Sequence, residues 1–208
     1  MAEARPSPRH GEAAETPPDE ELLRGRIYGL LARLLAAPPD GPVLASLAEI
    51  AADNTELGRA FAALAEAAGA AAPAEVAVEY HDLFIGLTRG ELLPYGSYYL
   101  TGFLNEKPLA ELRGALAGLG VARADEVKEP EDHVAALCEV MAGLIDGTYG
   151  TPQPLSVQRG FFETHMAPWF GRFFADLDGA QAAVFYAAVG RLGRRFIEIE
   201  SAAFAMDA

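Results

Sequence analysis

One cysteine, Cys138, stands among 208 residues, too few for an internal disulfide framework, and a reducing, cytoplasmic setting is the expectation. No apolar run approaches the roughly 20 residues of a membrane-spanning helix, and the N-terminus lacks the charged-then-apolar pattern of a secretory signal. Basic residues are also scarce: 16 Lys and Arg against 30 Asp and Glu leave a formal net charge of −14. Phosphate binding draws on Lys and Arg, so nucleic acid is not an expected partner. The same sign of charge opposes stable binding to anionic membranes. An acidic chain can steer toward a basic partner, although acidity also serves solubility alone.

The motifs of common chemistries are missing as well. The four histidines are His10, His81, His133 and His165, and none forms an HxxxH or HExxH pair. A spatial meeting of His81, His133 and His165 is the one route left to a metal, and no metal or other cofactor is expected. Ser97 lacks the second glycine and the preceding strand of a nucleophile elbow. No phosphate loop or dinucleotide glycine fingerprint occurs. The expectation is a protein that is not an enzyme.

What is present is helix. Apolar residues make up 51% of the chain, enough for one full core, and one domain is the default. Residues 1–19, with Pro6, Pro8, Pro17 and Pro18, read as a disordered tail; residues 20–208 form the expected domain. Leu22, Leu23, Ile27, Leu30, Leu31, Leu34 and Leu35 define a first amphipathic helix, stopped by Pro38 and Pro39. Helical segments follow over Pro42 to Ala51 and Glu56 to Ala70. Pro73 opens a helix with Val76, Tyr80, Leu83, Phe84 and Leu87 on one face. Glu91 to Phe103 reads as a loop or short turn, because Pro94, Gly96 and Gly102 interrupt it. Its Tyr95, Tyr98 and Tyr99 either cover a helix end or line a groove.

Helical pattern resumes over Glu106 to Leu119, and after a loop over Gly120 to Lys128 EPEDH leads into a helix with Val134, Leu137, Cys138, Met141, Leu144 and Ile145 inward. An aromatic run from Phe161 to Phe174 has the spacing of core, with Pro168 set to kink or split its helix. The last helix places Phe185, Val189, Leu192, Phe196, Ile199 and Ala203 inward, with Arg194 and Glu198 paired outside. No alternating strand, internal repeat or second domain boundary is evident. The fold class is all-α.

EPEDH, Glu129 to His133, is the motif hardest to dismiss. Pro130 suits a first helical position, and Glu129, Glu131 and Asp132 suit the positive end of a helix dipole. His133 borders the buried stripe, and neighbouring carboxylates favour its protonated form.

Four stretches in order resemble the TorD, DmsD and NarJ family of redox-enzyme maturation chaperones. They are Tyr80-His81-Asp82-Leu83-Phe84-Ile85-Gly86, Pro94-Tyr95-Gly96-Ser97-Tyr98-Tyr99, EPEDH, and Phe161-Phe162 with His165 and Trp169. The resemblance covers roughly Glu79 to Phe204, and departs from the family where Leu93 precedes Pro94 and where Tyr98 replaces a smaller residue. It implies a single-domain helical bundle that binds the twin-arginine leader or apo form of a molybdenum-containing oxidoreductase precursor. Formate dehydrogenase is the expected client, held until cofactor insertion and assembly precede export. The implied leader-binding residues are Leu83, Phe84, Pro94, Ser97, Tyr99, Glu129, Asp132 and His133. A monomer or homodimer is equally compatible. Slow GTP hydrolysis, with Asp132 and His133 as acid–base residues, and a permanent scaffolding subunit remain the alternatives.

Overall fold

The computed structural model describes residues 19–124 and 128–206. The expected tail, apart from Asp19, lies outside the described residues, as do three residues of the Gly120 to Lys128 loop. Asp19 itself opens the first helix, α1 (Asp19–Ala36).

Next come α2 (Gly41–Ala48), α3 (Glu56–Ala70), α4 (Pro73–Tyr80) and a π-helical turn over His81–Ile85. The chain continues through α5 (Gly96–Thr101), α6 (Lys107–Gly118), α7 (Val134–Asp146), α8 (Leu155–His165), α9 (Ala167–Asp178) and α10 (Phe185–Met206). Among the described residues there is no strand, only an isolated antiparallel bridge between Tyr95 and His133. The all-α expectation therefore holds. Among the described residues no single helix is long and apolar enough to cross a membrane.

Local chemistry explains most of the boundaries. Asp40 accepts the Val43 amide at 3.0 Å and Thr55 accepts that of Gly58 at 2.9 Å, capping α2 and α3. Pro168 splits the aromatic run into α8 and α9 after Met166, as its missing N–H and bulky ring require. The N-terminus of α10 is capped from a distance: the Glu79 carboxylate accepts the amides of Val184, Phe185 and Tyr186 at 2.8, 3.1 and 2.6 Å. That charge at a helix start ties α4 to α10.

Helix α1 lies along α7, while α10 lies against α9 and α3. Ile27, Leu31, Leu34 and Leu35 of α1 share one core with Leu137, Met141 and Leu144 of α7 and with the aromatics of α8 and α9. Phe161, Phe162, Trp169, Phe170, Phe173 and Phe174 are all buried, in agreement with their helical spacing.

Three expectations change. Leu87 does not join the apolar face of α4; Gly86, at φ 60°, ends the π turn and leaves Leu87 fully exposed. Residues 96–101 form a short helix within the stretch read as loop or turn. On α10 the inward position is Glu200 rather than Ile199, which is 38% exposed, and Glu198 pairs with Arg195 instead of Arg194.

Glu200 is buried because partners await it. Arg24 grips its two oxygens at 2.8 Å each, and the Tyr28 hydroxyl donates to it at 3.0 Å. Arg24 also reaches Glu21 and Gln158, and the Gln158 amide donates to Glu21 and to the Gln153 carbonyl. Burial opposes the Arg24 charge, yet the hydrogen bond and charge of Glu200 outweigh it and raise the guanidinium pKa. This fork joins α1, α8 and α10.

Candidate functional site

The site is built where EPEDH meets the segment from Pro94. The Gly96 amide donates to the Asp132 carbonyl at 2.9 Å, and the Val134 amide donates to the Pro94 carbonyl at 2.8 Å. These flank the Tyr95–His133 bridge and fasten two segments that are distant in sequence. The Asp132 carboxylate then accepts the Ser97 amide at 2.7 Å. Tyr95, the N-cap of α5, makes no side-chain cap of its own. Asp132 thus supplies from EPEDH the acceptor that the start of α5 lacks.

EPEDH is not the first turn of α7. That helix begins at Val134, four residues after Pro130, and His133 is its N-cap. The imidazole Nδ1 accepts the Ala135 amide at 3.2 Å, a bond that requires an unprotonated nitrogen. Burial of the ring lowers its pKa against the upward pull of Glu129 and Asp132. The expectation of a proton-retaining His133 is therefore corrected: desolvation outweighs the nearby carboxylates. Glu131 is turned outward and held by Arg113 at 2.9 Å.

Tyr95 and Glu129 form the visible edge of the site. The phenol donates to the Glu129 carboxylate at 2.5 Å, and the Tyr95 ring meets His133 edge-on at 5.1 Å between centroids. Burial, and then Glu129, raise the Tyr95 pKa, so this donor keeps its proton. Tyr80 lies within electrostatic reach: burial and then Glu129 also raise its pKa. Tyr80 packs edge-on against Phe84, with 5.0 Å between centroids.

Seven of the eight residues expected at the site therefore separate into two layers. Phe84, Glu129 and His133 lie at or near the surface around Tyr80 and Tyr95, while Leu83, Pro94, Ser97 and Asp132 are buried beneath. Leu83 is tied in by its carbonyl, which accepts the Leu92 amide at 2.8 Å. Tyr99 points elsewhere, to Trp169 at 5.4 Å and Phe173 at 5.9 Å, with its hydroxyl on Asp176 at 3.1 Å. Tyr80 was missing from the expected set. Its place one turn before Phe84 was the available signal.

The Phe/His/Trp helix supports this arrangement from below. The Trp169 indole donates to the His165 carbonyl at 2.9 Å, and its ring lies so close to Gly96 that an added Cβ would sit 3.2 Å away. Beneath the surface, the Ser97 hydroxyl and one Asp132 oxygen are buried and meet no hydrogen-bond partner among the described residues. His81, His133 and His165 do not meet: among the described residues no group of three or more His, Cys, Asp or Glu is placed to hold a metal ion.

A helical bundle in which a Glu-Pro-x-Asp-His turn is laced to a Pro-Tyr-x-Ser helix start belongs to the TorD-like class of folds. A crystal structure of a candidate redox enzyme maturation protein from Archaeoglobus fulgidus has the same fold. Its TM-score is 0.55 at 21% identity, over 85% of this chain and 94% of that one. The family described as nitrate reductase delta subunit matches residues 50–175, and the chain belongs to this TorD/NarJ family.

The chain is 32% identical over 131 residues to the chaperone protein TorD of Vibrio cholerae serotype O1 (strain El Tor Inaba N16961), covering 60% of each. It is 30% identical over 162 residues to TorD of Aliivibrio fischeri, covering 72% of this chain and 75% of that protein. The chain thus spans about 60% of the length of the Vibrio cholerae relative.

Proposed function

We propose that the protein is a cytoplasmic maturation chaperone, not an enzyme. It binds the twin-arginine leader and apo form of a molybdenum-containing oxidoreductase until cofactor insertion and assembly are complete. Formate dehydrogenase is the proposed client. The observation that carries this reading is the meeting of Tyr95 with Glu129 and His133, with Tyr80, itself packed on Phe84, within electrostatic reach of the carboxylate. A leader guanidinium can replace the Tyr95 hydroxyl on Glu129 with a charge-assisted bond, and the aromatic rings offer area to the leader's apolar segment. Leu83, Pro94, Ser97 and Asp132 act from beneath, by holding these residues in place. The formal charge of −14 favours encounter with a basic leader. As a domain, residues 20–208 work as one unit, with the preceding tail outside it.

A synthetic twin-arginine peptide tests the site by calorimetric titration. Glu129→Gln with His133→Ala is expected to weaken binding at least about tenfold while leaving the helical CD spectrum in place. Unchanged affinity in that double variant would sink the assignment. Capture of the tagged protein from cells, followed by mass identification of the bound precursor, tests the client. Recovery of a mature holoenzyme with this chain in fixed ratio would favour a permanent subunit instead.

A further inference from the structure

A recess lies beside α5, lined in part by its Tyr98 and Tyr99. It is a cleft of about 290 Å³ lined by Arg89, Glu91, Leu92, Leu93, Tyr98, Tyr99, Gly102, Arg172 and Asp176. Its acceptors are already in use. The Glu91 carboxylate takes the amides of Gln181 and Ala182 at 2.7 and 3.0 Å, and Asp176 takes the Tyr99 hydroxyl.

Its donors are not. Arg89 is exposed and makes no hydrogen bond or ion pair among the described residues. Arg172 is 74% exposed, reaches Asp176 only at 3.9 Å, and rests on the Tyr99 ring at 5.6 Å. Two arginines with spare N–H groups thus line one cleft with leucine and tyrosine. That is the chemistry of a site for an oxyanion on an apolar body.

The lining distinguishes between oxyanions. Two arginines against Glu91 and Asp176 leave no net charge in the cleft, and the whole chain is strongly acidic. A polyphosphate brings several negative charges into that field and finds no lysine there. A single carboxylate brings one. On either side of Gly102 in the chain, Leu100 is 44% and Phe103 68% exposed.

We propose that this cleft binds an acidic side chain flanked by apolar residues, carried on a peptide segment of a partner protein. Arg89 and Arg172 hold its carboxylate, while Leu92, Leu93 and Tyr98 receive its neighbours. That the segment belongs to the client enzyme rests on the chaperone reading; the preference of the cleft does not. A client would then be held at two chemically opposite points, its basic leader by Glu129 and an acidic segment by the arginines.

The experiment is an amide NMR titration of the full chain with acetyl-Leu-Asp-Phe-amide and its Asn analogue. Saturable shifts are expected at Leu92, Leu93, Tyr99 and Gly102, at least about tenfold weaker for the Asn peptide and for Arg89→Gln with Arg172→Gln. The single variant Arg89→Gln, which has no contact to lose, is expected to weaken binding about threefold and keeps the test valid if the double variant unfolds. Equal affinity for the Asp and Asn peptides, an unaffected Arg89→Gln, or tighter binding of inorganic triphosphate at the same amides overturns the proposal. The twin-arginine peptide, titrated into the same samples, reports on the chaperone reading separately. Its binding is expected to be unchanged by the arginine variants.

Discussion

Two buried polar centres hold this bundle together, and they differ in how completely their bonds are used. Around Glu200, every oxygen of the carboxylate is engaged, and Arg24 and Gln158 spend their donors on named partners. Around Asp132, one oxygen takes the Ser97 amide, while the other oxygen and the Ser97 hydroxyl have no partner among the described residues. Closed networks of the first kind fix a fold. The centre distant from the family motifs is the more complete one.

The largest effect that sharpens this contrast is expected at Glu200. Glu200→Ala removes two of the bonds of the buried Arg24, leaving it Glu21 and Gln158, and strands the Tyr28 hydroxyl; it should cost about 3–5 kcal/mol in urea unfolding. A loss below about 1 kcal/mol would erase the distinction between the centres. Asp132→Ala should cost less, about 1–3 kcal/mol, because it strands a single buried amide. Ser97→Ala should change stability by no more than about 0.5 kcal/mol, since its hydroxyl has no bond to lose. A Ser97→Ala penalty as large as that of Asp132→Ala would mean that the hydroxyl is engaged after all.

The smallest effect is on pH dependence. The folded chain holds His133 below its ordinary pKa, so below about pH 6.5 the unfolded chain binds the extra proton first. Stability should fall as pH drops from there toward the depressed folded value, and the Ala135 cap should be lost with protonation. His133→Asn keeps a good cap and removes the titration. Thermal midpoints at pH 7.5 and 5.5 should therefore differ less in this variant than in the parent. An equal difference would place the acid sensitivity elsewhere.

Much of the architecture was legible because the helices carry strong apolar periodicity and clear stops. Glu56 to Ala70 coincides with α3, and Pro168 divides the aromatic run as its ring chemistry demands. Glu200 was hidden because its polarity masks an inward position that becomes tolerable only once Arg24, Tyr28 and Gln158 arrive from other helices. EPEDH was recognisable as a motif, but its geometry was not. A proline followed by acids resembles a helix start, and only the long-range pairing with Pro94 and Gly96 shows that the chain first makes a turn. The state of His133 was misjudged for a related reason. Neighbouring carboxylates can be read from sequence, whereas desolvation depends on the elements that close over the ring.

The fork between Arg24 and Glu200 also dictates when this protein can be finished. Its two halves lie 176 positions apart, and at ribosomal rates of about 5–20 residues per second the second half follows the first by roughly 10–35 s. For the first part of that interval the apolar stripe of α1, Ile27, Leu31, Leu34 and Leu35, lacks α7, and until its end it lacks a complete α10. A protein proposed to shelter an unfinished enzyme thus passes through a comparably exposed stage during its own synthesis.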